Sequence, residues 1–134
     1  MRAWGRGNAS PMTGQDESRV RLAGRLFAAV TLLRYLAKAG GEPPPAVKDI
    51  TGKTGPAERI REVRPNPYDC MRLARGRGEP YWGPAASLFD SLTGFLKHGP
   101  IPDATLDPPR QKEFAAGYAA QLADFRERFP GLLE

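Results

Sequence analysis

A chain of 134 residues, 40% of them hydrophobic, fits one domain with its own core, and no run of about 18 apolar residues offers a membrane span. Its formal charge of +5 is unevenly divided: residues 1–79 hold fifteen Lys/Arg against eight Asp/Glu (+7), and residues 80–134 hold five against seven (−2). A single cysteine, Cys70, excludes an internal disulfide and suits a reducing, cytoplasmic setting.

Residues 1–15 contain Arg2, Gly5, Arg6, Gly7 and Gly14 but no apolar centre of a secretory leader, and are expected to form a disordered basic arm ahead of one domain, residues 16–134. A helix is predicted from about Asp16 to Ala39, where Leu22, Ala23, Leu26, Phe27, Val30, Leu33 and Ala37 recur at helical spacing, with Asp16 or Ser18 as cap. Gly40, Gly41 and Pro43 to Pro45 end it. A surface connector follows, Ala46 to Pro56, with one short turn around Val47 to Ile50.

Pro56 opens a short helix to Arg64, with Ile60 and Val63 as its inward contacts, and Pro65 stops it. A second short helix starts near Pro67, with Met71 and Ala74 on one line and Cys70 and Leu73 on another, until Gly76 and Gly78 release the chain. Both are too short to stand alone and must dock on the longer helices. Gly83 and Pro84 introduce a longer helix with Leu88, Phe89, Leu92, Phe95 and Leu96 as its buried stripe, closed by Gly99 and Pro100, with Lys97 and His98 beside the negative helix end. Asp107, Pro108 and Pro109 begin the last helix, on which Phe114, Tyr118, Leu122, Phe125 and Phe129 step along one face to Pro130. No segment alternates with a period of two, so the expected fold is all-α, a compact bundle of about five helices. Gly24, Gly94 and Gly117 each weaken a helix by roughly 1 kcal/mol relative to Ala, a cost that close approach of a neighbouring helix would offset.

Signs of catalysis are few. Gly52-Lys53-Thr54 is not a phosphate loop, because Val47 stands where that motif needs glycine and no strand precedes it. The only histidine, His98, and the only thiol, Cys70, are far apart, and Cys70 sits among apolar helical neighbours. No spacing suggests a metal site, and no cofactor or enzymatic centre is expected. A helix-turn-helix is disfavoured by Pro65 and Pro67 between the two short helices.

The basic half is more specific. Arg59, Arg61, Arg64, Arg72, Arg75 and Arg77 lie within nineteen residues, opposed by Glu58, Glu62 and Asp69. The pairs Arg61/Arg64 and Arg72/Arg75 each project from one helix face. Arginine offers a planar fork for phosphate oxygens, and neutralising phosphates releases counterions, so such a face suits a nucleic-acid backbone. Arg21, Arg25, Lys48 and Lys53 extend the candidate nucleic-acid-binding set, and Arg34 and Lys38 lie on the same polar side of the first helix. Tyr68, Tyr81 and Trp82 could stack on unpaired bases. An arginine-rich solvated face from a GC-rich genome has the same composition.

Taken in order, Ala23-Gly24-Arg25-Leu26-Phe27-Ala28, the Lys48-Asp49 connector to Thr54-Gly55-Pro56-Ala57, an Arg/Leu-rich helix, and Gln111-Lys112-Glu113-Phe114-Ala115-Ala116-Gly117-Tyr118-Ala119-Ala120-Gln121 resemble a family. That family is the C-terminal helical part of the type I-C CRISPR Cascade large subunit, also made separately as the small subunit. The resemblance covers residues 20 to 126. Where the family has paired tyrosines and a histidine, this chain has Tyr118-Ala119-Ala120, which leaves the subtype open to type I-E and type IV small subunits. The resemblance implies a non-catalytic subunit of an antiviral ribonucleoprotein. Its partners would be guide RNA, target nucleic acid, the CRISPR backbone and large subunits, and further copies of itself. Base pairing would read sequence while the protein supplies charge and shape. A helical adaptor without nucleic-acid binding is the alternative, with Tyr81, Trp82 and the mixed-charge last helix as its interface.

Overall fold

The computed structural model describes residues 11–37, 43–50, 55–96, 101–102 and 106–133, with side chains from Arg19 onward. Five α-helices, α1 (Pro11–Ala37), α2 (Pro56–Arg61), α3 (Pro67–Arg77), α4 (Trp82–Ser91) and α5 (Pro108–Arg128), are joined by 3-10 turns at Val47–Asp49 and Thr93–Leu96. No strand occurs among the described residues. The protein is an all-α bundle, and none of its described helices is long and apolar enough to cross a membrane.

Helix α1 is the centre on which α2, α3, α4 and α5 all pack. Leu26 through Leu33 are buried without interruption, so this helix is enclosed on every side where the sequence pattern suggested a single apolar stripe. The only polar side chain in that stretch, Thr31, is satisfied locally, its hydroxyl donating to the Ala28 carbonyl at 2.9 Å. The helix also starts earlier than expected, at Pro11, so residues 11–15 belong to it and Asp16 and Ser18 fall inside rather than at its cap. Residues 1–10 of the expected arm lie outside the described residues.

Helices α1 and α5 approach one another backbone to backbone, and glycine makes it possible. A Cβ on Gly24 would overlap the Phe114 carbonyl oxygen and lie 2.9 Å from the Tyr118 nitrogen. One on Gly117 would overlap the Arg21 carbonyl oxygen and lie 2.9 Å from its carbon. Two of the three glycines thus serve the expected packing. Gly94 does not: it is exposed in the second 3-10 turn, with open space where a Cβ would stand. Beside the glycine crossing, the Phe27 ring packs on Phe114 and Tyr118 at centroid distances of 6.0 and 5.5 Å.

The short helices are held at their ends. Pro56 stands at the start of α2, and the Ala57 N–H donates to the Pro102 carbonyl at 3.0 Å. After α2 the Arg64 guanidinium folds back onto the carbonyls of Arg61 and Val63. Asn66 caps α3, accepting from the Asp69 N–H at 2.9 Å, and Gly78 ends it at φ +79°, a conformation that favours glycine. Cys70 and Ala74, one turn apart, form the buried line of α3, with the Cys70 thiol donating to the Pro65 carbonyl at 3.3 Å. Leu73, which shares the Cys70 line in the sequence pattern, is 46% exposed.

Helix α4 stops at Ser91 instead of running on to Gly99. The Ser91 hydroxyl donates to the Leu88 carbonyl at 2.7 Å, and Thr93 and Gly94 are weak helix formers, so the chain tightens into a 3-10 turn. Leu88 is buried and Phe89, Leu92 and Phe95 partly so, but the tightened turn rotates Leu96 outward, to 42% exposure. Lys97, His98, Gly99 and Pro100 lie outside the described residues. Asp107 caps α5 by accepting from the Arg110 N–H at 3.1 Å, and Phe114, Tyr118, Leu122 and Phe125 enter the core as expected, with Phe129 half-buried beside them.

Candidate nucleic-acid interface

Helix α3 carries the most exposed part of the basic set. Tyr68, Arg72 and Arg75 follow at intervals of four and three residues, which puts them on one face, and all three are exposed. The Arg75 guanidinium lies 5.9 Å over the Trp82 ring at the start of α4. Arg72 approaches Asp69 at 3.5 Å, an exposed ion pair of the kind that contributes little in water. Arg61 is exposed at the end of α2, and Arg64, exposed in the turn ahead of α3, has one Nη turned back onto the carbonyls of Arg61 and Val63.

The other members are placed differently. Arg77 turns inward: it donates to the Leu36 carbonyl of α1 at 2.6 Å and stacks on Tyr81 at 3.5 Å, so it closes the end of α1 and ties α3 to it. Arg59 is half-buried and lies 5.6 Å over the Phe27 ring. Arg21 is bound to Glu113 of α5, Nη2 to Oε1 at 2.9 Å, beside the glycine crossing. Arg25 stands 6.0 Å from the Phe95 ring, and Lys48 is exposed on the first 3-10 turn. Lys53 and Lys38 lie outside the described residues. The ten-residue set therefore divides into Arg61, Arg64, Arg72 and Arg75, exposed on α3 and around the end of α2, Arg21 and Arg25 on α1, Lys48 on the first 3-10 turn, Arg59 and Arg77 committed to internal contacts, and Lys53 outside the described residues. Trp82 and Tyr81 each support an arginine, whereas Tyr68, at 58% exposure, presents a free aromatic surface.

A second polar feature centres on Tyr118 of α5. Tyr118 is fully buried, and its hydroxyl donates to the Pro45 carbonyl at 2.5 Å. Burial pushes this phenol up to about 12, opposed by the adjacent Thr31 hydroxyl and by the positive fields of Arg34, Arg126 and Arg59. The sequence pattern did not reveal this feature. The groups that act on Tyr118 come from separated segments, and Arg126 sits in an alternating-charge stretch that looks like an ordinary solvated helix end.

Among the described residues no three His, Cys, Asp or Glu side chains gather closely enough to hold a metal ion. Comparison of the chain with protein-family models, curated proteins and solved structures finds no match.

Proposed function

We propose that the chain is a non-catalytic subunit of a multisubunit RNA-guided CRISPR effector, holding the backbone of guide RNA and target nucleic acid while base pairing reads sequence. The observation that carries this is the exposed Tyr68–Arg72–Arg75 face of α3, backed by Trp82 and continued in the chain by Arg61 and Arg64. The Arg72 and Arg75 guanidinium groups can each fork onto two phosphate oxygens, and a strand lying along α3 would place a base against Tyr68. The Arg72–Asp69 pair does not oppose this, because an exposed pair yields readily to a phosphate. The segment order of residues 20 to 126, with its likeness to the helical part of the type I-C large subunit, supplies the assembly: backbone subunits, the large subunit, and repeated copies whose avidity would strengthen a weak single contact.

The test is binding of labelled single strands and duplexes across a salt series. Sequence-indifferent binding should weaken linearly on a log–log plot, with a slope of about −0.7 per phosphate neutralised on single strands. A chain that binds no nucleic acid, alone or assembled with CRISPR backbone subunits, would refute the proposal and favour a protein–protein adaptor.

A further inference from the structure

We infer that Trp82 is a positioning residue for the α3 face: by holding the Arg75 guanidinium over its ring, it makes Arg75, ahead of Arg72, the side chain that grips a backbone phosphate. The inference rests on the reading of that face as a nucleic-acid interface.

The corner between α3 and α4 sets the pair. Gly78 leaves α3 at φ +79°, and its carbonyl accepts from the N–H groups of both Tyr81 and Trp82, at 3.0 and 3.1 Å. The chain therefore doubles back, and Trp82 opens α4 beside the last turn of α3. The Glu79 carboxylate pins the same corner by accepting from the Gly83 N–H at 3.2 Å. Two adjacent aromatic residues thus meet two arginines of one helix, with different results. Arg77 stacks on Tyr81 and spends its donor on the Leu36 carbonyl, so it is closed to a ligand. Arg75 is exposed, and its ζ carbon lies 5.9 Å from the centre of the Trp82 ring, inside the roughly 6 Å reach of cation–π attraction. Among the described residues it has neither a carboxylate within ion-pair reach nor a hydrogen-bond acceptor.

A ring beneath a guanidinium occupies one face of the ion and leaves its edges open, because all five N–H donors lie in the plane. An arginine held in this way gives up less freedom on meeting a phosphate than one that sways in water. Arg72 is the contrast. Its guanidinium approaches Asp69 at 3.5 Å, a partner that a phosphate has to displace, and among the described residues no ring lies against it. Trp82 itself is half-buried with Arg75 over its ring, so it acts through Arg75 and not by touching the strand.

Binding of a labelled oligothymidylate to the full chain across a salt series separates positioning from charge. Trp82→Leu keeps an apolar side chain and every charge. It should raise Kd about two- to fivefold at each salt concentration, the share of one exposed cation–π contact, and leave the slope unchanged. Trp82→Phe should recover part of that loss, and in an Arg75→Gln background Trp82→Leu should change nothing. Arg75→Lys, at an exposed position, keeps the charge without the planar fork and should weaken binding more than Arg72→Lys does. If Trp82→Leu fails to fold in a thermal melt, the comparison of the two lysine variants decides. Parent affinity in a folded Trp82→Leu would overturn the inference and leave the α3 interface standing. So would a loss that persists in the Arg75→Gln background, which would put Trp82 on the bases, and so would Arg72→Lys weakening binding as much as Arg75→Lys. A parent chain that binds no oligonucleotide, alone or assembled, would instead bring down the interface and the inference with it.

Discussion

At Gly24 and Gly117 the backbones of α1 and α5 touch, so even a methyl group meets main-chain atoms that cannot swing aside. Gly24→Ala should therefore destabilise the protein by about 3 kcal/mol or more, the upper range for overpacking, despite the better helix propensity of alanine. Gly94→Ala has open space and should be neutral or stabilising by up to about 1 kcal/mol. Urea denaturation midpoints of the two variants give the comparison, and equal effects would contradict the close crossing. Tyr118 makes a second residue-scale test. Its hydroxyl titrates near 12 in the folded chain and near 10 when unfolded. Below pH 10 both states keep the proton, and as pH rises from about 10 to 12 the unfolded chain releases it first, so stability falls through that window by on the order of 2 kcal/mol. Tyr118→Phe should cost about 1 kcal/mol at neutral pH through the orphaned Pro45 carbonyl and should show a shallower alkaline fall than the parent chain.

For whole elements, punctuation was more legible than burial. Pro56, Pro67 and Pro108 mark the starts of α2, α3 and α5, and Gly78 marks the end of α3, because fixed proline φ and permitted positive φ act locally. Apolar residues carry less information where the partner is distant in sequence. Leu73 has the helical spacing of a core residue, yet Cys70 and Ala74 are the buried residues of α3, and nothing in the local pattern distinguishes the two lines. The enclosure of α1 on all sides follows from four helices packing on it, which no window of its own sequence records. The Asn66 cap was equally hidden between two prolines. It holds the Asp69 N–H, and Asn66→Ala should cost about 1 kcal/mol and lower Tm by several degrees in a melting experiment, with Asn66→Asp restoring most of it.

Across the whole molecule, the charge asymmetry was visible as a sum, but its division of labour was not, because six closely spaced arginines look alike until their ends are located. Arg77 spans from α3 to the last turn of α1, where it meets the Leu36 carbonyl and the Tyr81 ring, so Arg77→Ala should lower stability by about 1.5–3 kcal/mol, the range for a hydrogen bond from a charged donor. Arg72 and Arg75 are exposed, beside Asp69 and over the Trp82 ring, where such contacts add little, and their replacement by glutamine should leave the stability within about 0.5 kcal/mol of the parent. Nucleic-acid affinity should respond in the opposite order. Removing Arg72 and Arg75 together should make the single-strand salt slope less steep by about 1.4, two phosphates' worth, whereas a folded Arg77 variant should keep the parent slope. Measuring stability and slope on the same three proteins separates a cationic surface that binds from arginines that merely hold helices together. If the Arg72/Arg75 variant retains the full slope, the contact lies off α3, and the group on α1, Arg25 above all, becomes the place to look.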